Sequence, residues 1–258
     1  MITAKDVFLS SPKKRKEMIL GEVTGFNNLD SEIDKTREIA RVINTFLEDY
    51  FILKIQQDED LYNGSVLLNE NLSSAFDLEI NRFKPIAINE LKGTVPTKDA
   101  ILLSSKNVYE MAGATKLAFA NKVTRTLSTT MGLLWERLAS ISPYAINPES
   151  EFNLKIKGID LISMNYASRI IEYQQLKTQH NTLTGSQKPR SVEELLIHDN
   201  PIFCACFANN SSWTFNHPDI PRVSGGDFWS RIGIPYELFL SKARSLVLEL
   251  ENEYVKLL

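Results

Sequence analysis

Cysteine and histidine are scarce: the 258 residues hold two of the first and three of the second. Cys204 and Cys206 stand one residue apart in an apolar run and read as buried thiols facing opposite ways on a strand, so neither a disulfide nor a zinc site is expected. His180, His198 and His217 are too scattered for a recognisable metal motif. There is no G-x-S-x-G elbow to anchor serine-hydrolase chemistry, and no P-loop or G-x-G-x-x-G to cradle a nucleotide phosphate. No apolar run reaches the length of a membrane span and no signal-peptide pattern opens the chain, which makes a reducing cytoplasm the expectation. Internal repeats and low-complexity tracts are missing too. So is a basic excess: 29 Lys and Arg face 32 Asp and Glu, for a net charge of −3. That removes the usual electrostatic announcement of a nucleic-acid partner, but not a protein that gathers its Lys and Arg in one cleft.

What is present suffices for a packed core, with 43% hydrophobic residues and a length that suits one large domain or two small ones. The early cluster Lys13, Lys14, Arg15 and Lys16 reads as a solvated helix end, with phosphate contact as the alternative. Ile33, Ile39, Val42, Ile43, Phe46 and Leu47 recur at helical spacing and predict one long helix from Ser31, its N-cap, to Gln57. Asp58 to Ser74 is polar and reads as loop. Pro85 to Gly93 has proline first and glycine last, as a short helix does. Leu117, Val123, Leu127, Leu133, Leu134 and Leu138 supply a stripe for a helix from Thr115 to Ser140, which carries Glu136 near its end. Pro143 to Pro148 breaks it. Further on, Ser191 to His198 reads as a short helix with a capping box and Pro201 to Phe207 as a buried strand. Trp213 and Phe215 are taken to point outward from a loop. Asp227 is a possible cap before Phe228 and Trp229, two expected core anchors, and Tyr236 to Leu257 is a final amphipathic helix.

The chain is organised around Arg169 to Thr178, RIIEYQQLKT. As a strand it sets Ile171, Tyr173, Gln175 and Lys177 on one face and Ile170, Glu172, Gln174 and Leu176 on the other. The preceding run Phe152 to Ile162 reads as a second strand that delivers Asp160 to its end, with a hairpin turn around Ser163 to Ser168. An acid on one strand and a (Glu/Gln)-x-Lys on the next is an arrangement suited to metal-dependent phosphodiester chemistry. A second set, Asp77 with Glu90-Leu91-Lys92, has the more usual letters. It ranks lower, because its second half reads as helix rather than strand.

Asp160 followed by Gln175-Leu176-Lys177 resembles the PD-(D/E)XK nuclease motif. The stretches QLKTQHNTLTG and GGDFWSRIG resemble type II restriction endonucleases of that superfamily, over roughly Thr115 to the C-terminus. The chain departs from the pattern at Gly158-Ile159, where proline is frequent, and at Gln175, where an acid is usual. The resemblance implies an α/β fold: a restriction-endonuclease-like core with a mixed β-sheet flanked by helices, at 114–258. The mostly helical part, 1–113, would then serve dimerisation and DNA embrace. It implies Mg²⁺ held by Asp160, the Gln175 amide oxygen and the Leu176 carbonyl, with Lys177 beside the attacking water or scissile phosphate. Glu136, on the helix before the first core strand, would lend the charge that Gln175 lacks. The implied partners are double-stranded DNA, a second copy of the chain, and a cognate DNA methyltransferase in the same restriction-modification system that is not a bound subunit. Candidate readers of base edges are Asn181, Thr182, Thr184, Gln187, Lys188 and Arg190, then Asn209, Asn210 and Ser211, since Arg and Lys suit guanine and Asn and Gln suit adenine. The competing expectations are a non-catalytic DNA-binding or helical interaction protein and a repair or junction nuclease of the same superfamily.

Overall fold

The structure, a computed structural model, describes residues 2–26, 29–94, 108–180, 185–208 and 212–257. Five strands form one sheet in chain order: β1 (Ala145–Ile146), β2 (Leu161–Met164), β3 (Ile171–Lys177), β4 (Pro201–Ala205) and β5 (Arg222–Ser224). β1, β2 and β3 pair antiparallel, whereas β3, β4 and β5 pair parallel, so the sheet is mixed. A parallel pair needs a crossover, and the helix Gln187–Leu195 lies in the one between β3 and β4.

Side chains alternate across each strand and feed two separate cores. Leu161, Leu176 and Cys204 join one core with α5 (Asn69–Gly93), α7 (Thr115–Ala139), α10 (Gly226–Arg231) and α11 (Tyr236–Val255). Ile162, Met164, Tyr173 and Phe203 join the other. That second core is closed by α1 (Ala4–Phe8), α2 (Pro12–Glu22), α3 (Glu32–Asn44), α4 (Leu47–Leu61), α8 (Pro148–Phe152) and α9 (Gln187–Leu195). α6 (Val108–Met111) leans on α7. The described part of 1–113 therefore shares both cores with the rest of the chain. Among the described residues no helix is long and apolar enough to cross a membrane.

Several local expectations are corrected. The helix from Ser31 is two helices: Ser31 Oγ does cap the first, accepting from Asp34 N–H at 3.0 Å, but the chain breaks at Thr45 and Phe46. Thr45 turns its hydroxyl back onto the Val42 carbonyl, a bond that competes with helix continuation. Phe46 is buried there, edge-on to Tyr50 and Phe152. The loop placed at Asp58 to Ser74 is shorter, because α4 runs to Leu61 and α5 starts at Asn69. Pro85 lies inside α5 and does not open a helix. Ser191 is a buried residue within α9, which starts at Gln187, so no capping box forms at Ser191. Gly225, not Asp227, occupies the cap position of α10. Phe215 is buried and stacked on Phe203, and Trp213 stacks on His180; both rings turn inward. Cys204 and Cys206 are free, buried thiols in the same core, since positions two apart share a strand face. Arg15 is no phosphate contact: its guanidinium donates to the Val7 and Phe8 carbonyls and pairs with Glu151.

β3 is buried on both sides, and two of its polar residues, Glu172 and Gln174, are joined to each other. Glu172 accepts from Asn165 Nδ2 at 2.9 Å and pairs with Arg231 at the end of α10. Gln174 Nε2 donates to Ser163 Oγ at 2.8 Å and to Glu172 at 3.2 Å.

His198 is buried beyond the end of α9 and stacks on Tyr173 at 4.4 Å. Neither ring nitrogen has a hydrogen-bond partner among the described residues, and burial pushes the imidazole down to about 4. In the unfolded chain it titrates near ~6.5. Between those values only the unfolded state takes up the proton, so this stabilisation is present above about pH 6.5 and is lost as pH falls toward about 4. The loss amounts to at most ~3 kcal/mol. His198→Phe is expected to flatten the pH dependence of urea unfolding between about pH 5 and pH 7. Parallel curves for the variant and the natural chain would exclude His198 as the cause.

Candidate active site

Three elements converge beyond the C-terminal end of β3. Asp160 lies immediately before β2, and the ladder registers it: its N–H donates to the Gln174 carbonyl at 2.9 Å. Its Oδ2 accepts the Leu176 N–H at 2.7 Å. The expected strand from Phe152 is absent. Asn153 and Gly158 have left-handed backbones, and Leu154, Ile156 and Ile159 are buried from an irregular segment. Asp160 thus opens a strand instead of ending one. Lys177 closes β3. Glu136 comes from the last turn of α7. All three line one cavity of about 910 Å³, with Leu176, Thr178 and Gln179 beside them. The lining also includes apolar side chains, among them Val123, Leu127 and Met131 on α7 and Leu250 on α11. A smaller cavity of about 420 Å³ adjoins it and also reaches Glu136.

Asn147 fixes the carboxylates relative to each other. Its Nδ2 donates to Glu136 Oε2 at 3.0 Å and to the Asp160 carbonyl at 3.1 Å. Its Oδ1 caps α8 by accepting from Ser150 N–H at 3.0 Å. One amide therefore ties α7, β2 and α8 together. Nothing in the sequence singles it out beyond the Asn-Pro that starts a helix.

The electrostatics are those of two crowded acids beside one cation. Burial, and after it the negative charge of Asp160, pushes Glu136 up to about 7; Lys177 and the Asn147 hydrogen bond oppose the rise. Burial also raises Asp160, against the pull of Lys177, the Leu176 N–H and Lys155. A carboxyl shifted toward neutrality by burial and a charged neighbour, in a cleft, is a candidate functional-site residue.

The remaining predicted residues fall as follows. Gln175 is buried and is not among the residues lining the cavity; its Oε1 has no hydrogen-bond donor among the described residues. The Lys177 carbonyl accepts from Cys206 N–H at 2.8 Å on the β4 side, whereas the Gln174 carbonyl accepts Asp160 N–H on the β2 side. Alternation along the strand turns the Leu176 carbonyl to the Asp160 side. Gln187, Lys188 and Arg190 lie in the first turns of α9, not in a loop. Arg190 pairs with Glu194 at 2.7 Å. Asn181, Thr182, Thr184, Asn209, Asn210 and Ser211 lie outside the described residues. The rival set does not assemble: Asp77 and Glu90 stand on one helix, about 20 Å apart along its axis at roughly 1.5 Å per residue. Asp77 is paired with Lys242 at 2.6 Å, and Glu90 accepts from Thr130. Glu194, buried and close enough to Asp160 to raise it, is a further residue the sequence did not flag.

Among the described residues no three His, Cys, Asp or Glu side chains gather into a metal cluster. A hard cation that keeps several waters needs less: one or two carboxylates, with substrate oxygens completing the shell. Asp160, Glu136 and the Leu176 carbonyl are oxygen donors of that kind, whereas Gln175, expected among them, is not part of the cavity lining. No protein-family model and no curated protein matches this chain.

Proposed function

We propose that this chain is a Mg²⁺-dependent endonuclease that hydrolyses phosphodiester bonds in double-stranded DNA at specific sequences. It would have a restriction-endonuclease-like core and act as a homodimer. The observation that carries the reading is the meeting of Glu136, Asp160 and Lys177, from a helix, the residue before β2 and the end of β3, around one cavity. Asp160 and Lys177 are also among the residues that carry the resemblance in the sequence. Asp160 and Glu136 would hold Mg²⁺ with the Leu176 carbonyl. When bound, the ion would neutralise phosphate charge and acidify a water. The protein's own part is positional. The Leu176 N–H fixes the Asp160 carboxylate and Asn147 fixes Glu136. Lys177 brings a positive charge to where negative charge grows on the phosphate. Cutting both strands of a palindrome calls for two sites related by a two-fold axis, hence the dimer. A cognate DNA methyltransferase would protect the host's own sites.

Incubation with plasmid and Mg²⁺ tests the reading. Discrete bands support it. Structure-dependent nicking points to a repair or junction nuclease, and intact plasmid to a binding module. Within the assay, Glu136 gives a signed expectation. Only its deprotonated form is a ligand, so the Mg²⁺ concentration needed for cleavage should fall as pH rises through about 7. Glu136→Gln should raise that requirement roughly tenfold or more, the equivalent of about 1.4 kcal/mol, and remove this pH dependence. An unchanged Mg²⁺ requirement would make Glu136 structural.

A further inference from the structure

The segment that delivers Asp160 packs on α9 through a contact only glycine permits. Gly158 has φ +77°, and a Cβ there would lie 2.5 Å from Glu194 Cβ and 2.9 Å from its Oε2. Behind this contact the Glu194 side chain is 5% exposed, yet its carboxylate is shared by two cations. Arg190 Nε is at 2.7 Å and Lys157 Nζ at 3.8 Å, with side chains 69% and 34% exposed. Glu32, a second acid near Lys157, is paired with Lys35 at 2.9 Å, so Arg190 and Lys157 over Glu194 still leave a positive surplus on the outside. Lys155, two residues before Lys157, is exposed, and its charge reaches Asp160. The positive charge therefore runs from the first turns of α9 across the Gly158 turn to the candidate catalytic acid. The chain as a whole is net negative, at −3, so this surface departs from its average.

We infer that Arg190, Lys157 and Lys155 form a track for the phosphate backbone of duplex DNA leading to Asp160. The inference rests on the nuclease reading and names the surface that holds the substrate. A buried carboxylate suits this task. It keeps Arg190 and Lys157 side by side without the DNA, while their exposed ends stay available to phosphate oxygens. Contacts of this kind position a duplex and carry no sequence information. They act together with whatever reads the bases.

Counterion release makes the track measurable without cleavage. Each lost phosphate contact lowers the salt slope of binding by about 1. Mixed-sequence duplex DNA would be titrated with Ca²⁺ in place of Mg²⁺, from about 50 to 200 mM salt. K155Q/K157Q leaves the Arg190–Glu194 pair in place and should reduce the slope by about 2. K155R/K157R should restore it. The control is K13Q/K16Q on α2, the other basic run of the chain, which should keep the natural slope. An unaltered slope in K155Q/K157Q, or an equal loss in the control, overturns the track and leaves the nuclease reading standing. Failure of the natural chain to bind duplex DNA at all removes both.

Discussion

Replacing Lys177 with alanine is expected to abolish cleavage, by a factor of about 10³ or more, while leaving duplex binding and thermal stability near those of the natural chain. Such a factor corresponds to about 4 kcal/mol in the barrier. The side chain closes β3, lines the cavity, and acts through its charge on both Glu136 and Asp160. A hydrophobic core does not depend on it. Its loss should therefore appear in kcat and not in folding. Lys92→Ala is the matched comparison. Lys92 lies in the last turn of α5, beside a glutamate already engaged by Thr130, and activity should survive its removal. Cleavage retained in Lys177→Ala would move the chemistry elsewhere.

Arg231→Ala should have the largest effect on stability. Its partner Glu172 is buried in the centre of the sheet, with 5% of the side chain exposed against 30% for the arginine. Without Arg231 the carboxylate keeps, among the described residues, the Asn165 amide and the Gln174 amide as side-chain donors. Removing one partner of a buried pair leaves an uncompensated charge, which costs roughly 3 kcal/mol here given the arginine's partial exposure. For a chain of this size that lowers Tm by about 6 to 12 °C. Glu172→Gln added to Arg231→Ala should recover much of the loss, because it removes the stranded charge. A single-variant cost below about 1 kcal/mol, or no recovery in the double variant, would show that the pair does not support the fold.

The sequence was legible where one period dominated. RIIEYQQLKT predicts β3 to within two residues at each end, and the leucine stripe predicts α7 to within one. It misled where side chains were buried without regular backbone. Leu154, Ile156 and Ile159 imitate a strand, yet they enter the second core from a segment bent by Asn153 and Gly158. The break at Phe46 was hidden because the apolar spacing continues through it. Of the candidate site, Glu136, Asp160 and Lys177 could be named from local pattern and resemblance. Asn147 and Glu194 could not, because their significance lies in contacts made across the fold to Asp160 and its neighbours.

The sheet's strand order has a consequence for how the chain is made. Each strand pairs with its sequence neighbour, so the sheet can grow as it emerges from the ribosome. The helices α1 to α4 have no such convenience. Their apolar faces close on Ile162, Tyr173 and Phe203, which are synthesised about 100 to 140 residues after α4 ends at Leu61. At roughly 5 to 20 residues per second that is about 5 to 28 s in which the helices must wait, loosely paired with one another. Nascent chains arrested before β2 should therefore bind chaperones and yield to protease, and chains arrested after α9 should resist both.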